Sequence, residues 1–121
     1  MKIVLPWPDA KLNPNRSKGA HWASTSTLRK QARNYAFWST RGAMLQWLAE
    51  CKQPLTGPQS LTITFVQPDR RARDRDNLLA ALKPSLDGVA DALGINDSQF
   101  DPITIRREYG AKPGSVIVEV A

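Results

Sequence analysis

From Leu61 to Val66 apolar and hydroxyl side chains alternate, Leu61, Ile63 and Phe65 against Thr62 and Thr64, which is the two-residue period of a half-buried strand. From Asn77 the period becomes helical, because Leu78, Leu82, Leu86, Val89 and Leu93 recur at spacings of three and four. Arg73 to Asp76, between the two, is expected to be extended still, so that Asp74 and Asp76 point one way and Arg73 and Arg75 the other. Gly94 is placed to stop the helix in the left-handed conformation, and Asn96 and Asp97 follow as a polar turn. Pro84 falls inside this helix. Either the helix kinks there, or a first segment ends near Lys83 and a second begins with Pro84.

The remaining pattern frames that stretch. Ile3 to Leu5 reads as a short strand closed by Pro6 and Pro8, and Asp9 to Trp22 as a polar, basic loop without periodicity. Ser24 to Thr27 offers N-caps for a long helix to about Cys51, with Leu28, Ala32, Tyr35, Ser39 and Ala43 as its stripe. Phe37, Trp38, Met44, Leu45, Trp47 and Leu48 spread further round that helix than one packing surface requires; core filling is the default reading and a dimer contact the lesser one. Ile103 to Tyr109 and Val116 to Val120 read as strands, and Gly110 to Gly114 suggests a hairpin between them. The order β, α, β, α, β, β predicts a single small α/β domain over residues 1–121, with a mixed sheet of about four strands and two main helices.

Composition narrows the class. A chain of 121 residues has enough material for one core. It contains no long apolar segment and no charged-then-apolar leader, so a soluble, cytoplasmic protein without a membrane partner is expected, and the lone Cys51 suits a reducing compartment. The net charge is +6, and residues 1–68 carry nine Lys and Arg against Asp9 and Glu50 alone. Such a field favours binding to a phosphate backbone.

Seven of the eleven acidic residues lie between Asp69 and Asp101. At about 100° per residue, Asp76, Ala80, Lys83 and Asp87 share a helix face apart from the apolar stripe. Carboxylates gathered there would repel unless a cation sat among them, and Mg²⁺, a hard ion that takes oxygen ligands and substrate phosphate, suits them. No Cys and His set has zinc spacing. The plainer alternative is that DRDN caps a helix and the other acids form a solvated face. The basic run Arg70, Arg71, Arg73 and Arg75 favours a site that meets a polyanion. His21, alone, reads as an ordinary loop residue.

These residues carry a resemblance. The segments IVLPWP, PDRRARDRDN and NDSQF, with the helix bearing Lys83 and Asp87 between the last two, are similar to the RusA-type family of Holliday junction resolvases over nearly the whole chain. The resemblance implies a Mg²⁺-dependent homodimeric endonuclease that cuts four-way DNA junctions by paired symmetric nicks. It matches Asp74, Asp76 and Asp97 to the family's essential aspartates and metal ligands. It departs at Asn96, where the family commonly has another acid, and at Ala80, where it has a lysine; Lys83 keeps that lysine's spacing to the following acid, here Asp87.

The resulting expectation is metal-assisted phosphodiester hydrolysis on branched DNA. Asp74, Asp76 and Asp97 hold Mg²⁺, Lys83 stabilises developing charge, and Arg16, Lys18, Arg70, Arg71, Arg73 and Arg75 contact the DNA backbone. Trp22 either covers the core or stacks at an opened base step. A DNA-binding protein without catalysis, or a Mg²⁺-dependent nuclease of flaps or single strands, stands as the alternative.

Overall fold

The structure, a computed structural model, describes residues 1–13, 22–50, 53, 55 and 57–120, with the backbone alone for 22–24. Arg16, Lys18, His21 and Cys51 lie outside the described residues, as does the side chain of Trp22. The elements run β1 (Lys2–Pro6), α1 (Trp22–Ala49), β2 (Gln59–Gln67), α2 (Arg75–Leu93), β3 (Phe100–Tyr109) and β4 (Ser115–Val120). Single 3-10 turns lie at Ala10–Leu12 and Asp97–Gln99. Among the described residues the fold is thus α/β, one mixed sheet of four strands with two helices.

The sheet order is β1-β4-β2-β3, antiparallel except that β2 and β3 are parallel. A parallel neighbour needs a crossover, and α2 supplies it. The hairpin expected at Gly110 to Gly114 is not formed, because β2 lies between β3 and β4. That loop instead arches over the end of β2: Gly110 N donates to Gln67 O at 2.8 Å, and a Cβ on Gly114 would lie 3.0 Å from Val66 O. Two inter-strand spacings, about 10 Å, are within the reach of five residues.

Alternation decides which strand faces are buried. Leu61, Ile63 and Phe65 of β2, with Ile3, Leu5, Val116, Val118 and Val120, meet Leu78, Leu82, Leu86 and Val89 of α2 and Ala36 of α1 in one core. Each such large side chain contributes about 2 kcal/mol relative to exposure.

The two helices approach closely. A Cβ on Gly88 of α2 would stand 2.2 Å from the carbonyl oxygen of Arg33 on α1 and 3.1 Å from the Ala36 Cβ. Only small residues fit along that seam, so α1 buries Thr25, Ala36 and Thr40, the last donating its hydroxyl to Ala36 O at 2.7 Å. The expected stripe through Tyr35 is therefore rotated, and Tyr35 is exposed. Core filling, the default expectation for the further apolar residues of this helix, fails for Trp38 and Leu45, 69% and 72% exposed, and for the exposed Leu48, while Phe37, Met44 and Trp47 are half-buried.

Pro84 does not divide α2, which runs unbroken from Arg75 to Leu93. Proline removes the donor to the carbonyl of residue 80, and Ala80 lies on the solvent side, so that group is not forced to stay unpaired in the core. Lys83 is consequently fixed on the face that carries Asp76 and Asp87.

Candidate functional site

The chain leaves three like-directed strands at one end of the sheet. β1 and β2 both run antiparallel to β4, and β3 is parallel to β2, so Trp7 to Asp9, Pro68 to Asp74 and Tyr109 to Gly110 follow the carboxyl ends of neighbouring or like-oriented strands. That end of an α/β sheet is where ligands ordinarily bind. A cleft of about 450 Å³ opens there, lined by Trp7, Asp9, Asn13, Arg71, Asp74 and Asn77 among others.

Asp74 is the N-cap of α2, with φ −75° and ψ 129°, and its Oδ1 accepts from Asp76 N at 2.8 Å. The extended conformation therefore ends at Asp74, two residues earlier than expected, and Asp76 lies within the first helical turn. Backbone N–H groups left free in that turn favour a carboxylate cap over a continued strand. Both side chains are exposed, and neither forms an ion pair among the described residues. The plain capping role of DRDN is thus present, and it leaves the outer oxygens of the pair facing solvent.

Farther along the same face the charges are matched. Lys83 Nζ donates to Asp87 Oδ1 at 2.6 Å and to Asp97 Oδ2. Bonding to Asp87 and Asp97 raises the Lys83 ammonium above its ordinary value, and the ammonium holds the Asp97 carboxyl below the usual range. Arg33 Nε reaches Asp91 Oδ2 at 2.6 Å across the two helices, which lowers Asp91 likewise. Asn96 caps the turn at Asp97–Gln99: its side chain accepts from Ser98 N at 3.0 Å, while Gln99 Oε1 accepts from Asn96 N at 3.0 Å.

The structure thus brings Lys83, Asp87 and Asp97 together and sets Asp74 with Asp76, but it does not join the two groups. Asp76 and Lys83 are separated by about 10 Å of helix rise. Among the described residues no cluster of three or more His, Cys, Asp or Glu is close enough to share a metal ion. In donor chemistry Asp74 and Asp76 suit a hard cation, being exposed carboxylates without a competing ammonium.

The arginines divide as well. Arg70, Arg71 and Arg75 are exposed, Arg70 lying 4.9 Å from the centre of the Tyr109 ring. Arg73 is turned inward, and only 18% of its side chain is exposed. Sequence reasoning did not single out Asp9 and Asn13, which share the cleft with Asp74, or Arg106 and Arg107 on β3. The available signals were an acid directly after a strand that ends in proline, and adjacent arginines in a strand otherwise read as half-apolar.

No protein-family model matches the sequence. An uncharacterized protein of Xylella fastidiosa (strain Temecula1 / ATCC 700964) is 38% identical over 118 residues, covering 98% of this chain and 74% of the relative. At that identity and coverage, the chain belongs to one family with the Xylella fastidiosa protein.

Proposed function

We propose that the protein is a Mg²⁺-dependent endodeoxyribonuclease of the RusA type, acting on four-way DNA junctions as a homodimer. The observation that carries this reading is the Asp74–Asp76 pair at the start of α2, exposed and without an ion-pair partner among the described residues, where Asp74 and Arg71 line the cleft and the exposed Arg70 and Arg75 lie close by in sequence: unmatched carboxylates near exposed cations suit a metal and a phosphodiester together. When bound, Mg²⁺ would lower the pKa of a water and polarise the scissile phosphate.

In this reading Asp74 and Asp76 are the principal ligands, whereas Asp97, expected as the third carboxylate, is paired with Lys83 apart from them. Lys83 places a cation on the same helix face. The exposed arginines, with Arg16 and Lys18, hold the backbone. Two symmetric nicks from a chain with one carboxylate site require two copies about a twofold axis. The exposed face carrying Trp38, Leu45 and Leu48 supplies apolar surface for such a contact.

The test is incubation of an end-labelled four-way junction with and without Mg²⁺, alongside sedimentation at micromolar concentration. Paired nicks that need Mg²⁺, from a species of twice the monomer mass, are expected. A monomer nicking one strand would favour a nuclease of flaps or single strands instead.

A DNA-binding protein without catalysis is the second reading. It is favoured by the use of Asp74 as a helix cap and by the pairing of Asp97 with Lys83. Junction binding without cleavage, together with no heat of Mg²⁺ or Mn²⁺ binding in calorimetry, would establish it.

A further inference from the structure

Arg73 directly precedes the carboxylate that caps α2, and its guanidinium is the most heavily engaged of the arginines in the loop. Its Nη1 donates to Asp69 Oδ1 at 2.9 Å and to Gln67 Oε1 at 3.1 Å, with a longer contact of 3.4 Å to Arg71 O, and its Nη2 donates to Asp69 Oδ2 at 3.2 Å. The group also lies 5.3 Å from the centre of the Trp7 ring.

Each of these partners is itself anchored. Gln67 is the last residue of β2 and is 3% exposed. Trp7 packs edge-on against the buried Phe65, ring centres 6.0 Å apart. Asp69 Oδ1 also accepts from Arg71 N at 2.9 Å, which closes the turn. From the other side, Arg107 Nη1 of β3 donates to the backbone carbonyl of Arg73 at 3.1 Å. Arg73 is therefore tied to the chain after β1, to the end of β2 and to β3, one residue before Asp74.

We propose that Arg73 is a positioning residue: its guanidinium, held by Asp69, Gln67 and Trp7, fixes the turn over residues 68–74 so that Asp74 and Asp76 present their oxygens to metal and phosphate, and it makes no phosphate contact of its own. What the two carboxylates do rests on the nuclease reading above; the clamp is a property of the chain alone. An arginine is required because a planar fork pairs with a carboxylate in bidentate fashion while its face stacks on an indole. A lysine ammonium meets one of those demands at a time.

The test uses Arg73→Gln, Arg73→Lys, Asp69→Asn and the Arg73→Gln/Asp69→Asn double variant, with Arg71→Ala as the contrast. Three quantities are read: amide hydrogen exchange over residues 69–78, the salt dependence of junction binding, and the Mg²⁺ concentration that half-saturates cleavage. Loss of the clamp is expected to speed exchange in that segment alone and to raise the Mg²⁺ requirement about tenfold or more, the range found when a group that orients a ligand is lost. The double variant is expected to be no worse than either single one, since both break one unit. The salt slope is expected to stay unchanged in all four, while Arg71→Ala flattens it by about one phosphate.

A flattened slope in Arg73→Gln, matching that of Arg71→Ala, would overturn the proposal and make Arg73 a DNA contact. Unaltered exchange over 69–78 would overturn it too. A wild-type protein without Mg²⁺-dependent cleavage would sink the nuclease reading, while exchange and salt slope would still decide the clamp.

Discussion

Along α2 the first turn and the turns around Pro84 both offer aspartates on one face, yet only the later ones are matched by cations. Asp87 and Asp97 share Lys83, and Asp91 has Arg33. Asp74 and Asp76 have no cationic partner among the described residues, although exposed arginines stand on either side in sequence. Charges that neutralise one another hold a turn on a helix and two helices together, whereas charges left unmatched beside a cleft are available to a ligand.

The sharpest break of that contrast is Asp74→Asn or Asp76→Asn. Asparagine caps a helix about as well as aspartate, so Asp74→Asn is expected to leave the melting temperature nearly unchanged. Under the proposed nuclease reading it removes an anionic metal ligand, and loss of metal assistance is worth several kcal/mol, so cleavage is expected to fall by about a thousandfold or more. Junction binding should hold or tighten, because a negative charge facing phosphate is gone. A binding loss equal to the activity loss would instead point to misfolding.

Gly88→Ala strikes the other half. Its new Cβ would meet the Arg33 carbonyl at 2.2 Å, and a backbone atom inside a helix pair has nowhere to move without spreading α1 from α2. Overpacking of this kind is expected to cost about 3 kcal/mol, read as a fall in the denaturation midpoint. An unchanged midpoint would mean that the helices pack more loosely than described.

The contrast was only partly legible in the sequence. Periodicity located both main helices and all four strands, because Leu61 to Phe65 and Leu78 to Leu93 are long and strongly patterned. The α1 stripe was misjudged because the seam selects for size: Ala36, Thr40 and Gly88 carry little hydrophobic signal, but they allow the backbones to approach. The missing hairpin has the same kind of cause. A glycine-bearing loop of five residues reads as a hairpin turn, and nothing local records that β2 will insert between the strands. Within the site, spacing put Asp76, Lys83 and Asp87 on one face, but whether Lys83 points to a ligand or to Asp97 depends on where the chain returns after Gly94. The inward turn of Arg73 was likewise invisible, since its partners Trp7 and Gln67 lie on other strands' ends.

Lys83→Ala tests whether the matched cluster also serves catalysis. A turnover defect of about tenfold with little change in junction affinity is expected if the ammonium helps with developing charge. A wild-type rate would assign Lys83 to holding Asp97 on α2 and nothing more. The same cluster sets a pH dependence. Asp69, Asp91 and Asp97 are held below their ordinary values by Arg73, Arg33 and Lys83 respectively, so each contributes stability above the ordinary carboxylate value of about 4 and loses it as pH falls through the lowered one. Lys83, being raised, contributes fully below the ordinary lysine value and loses that contribution only as pH rises past it. Melting temperature should therefore be level from about pH 5 to pH 9 as far as these groups decide it, with an acid limb that is shallower in Asp97→Asn.

The smallest effects are expected at the exposed arginines, and they are informative because they should be uniform. Arg70→Ala, Arg71→Ala and Arg75→Ala each remove one exposed cation from the segment that leads into α2. Counterion release then predicts that the slope of log affinity against log salt falls by about 0.9 for each phosphate no longer neutralised, whatever the DNA sequence. Arg70 adds a distinction, since its stacking over Tyr109 holds the cation near the end of β3 even without DNA. Tyr109→Leu should therefore weaken binding at low salt while leaving the slope intact, because the charge remains and only its placement changes. A slope that changed with Tyr109→Leu would mean that the ring, rather than the arginine, orders the contact; slopes unchanged in all three arginine variants would remove this segment from the DNA interface and leave the first turn of α2 with carboxylates but no route for a phosphate to reach them.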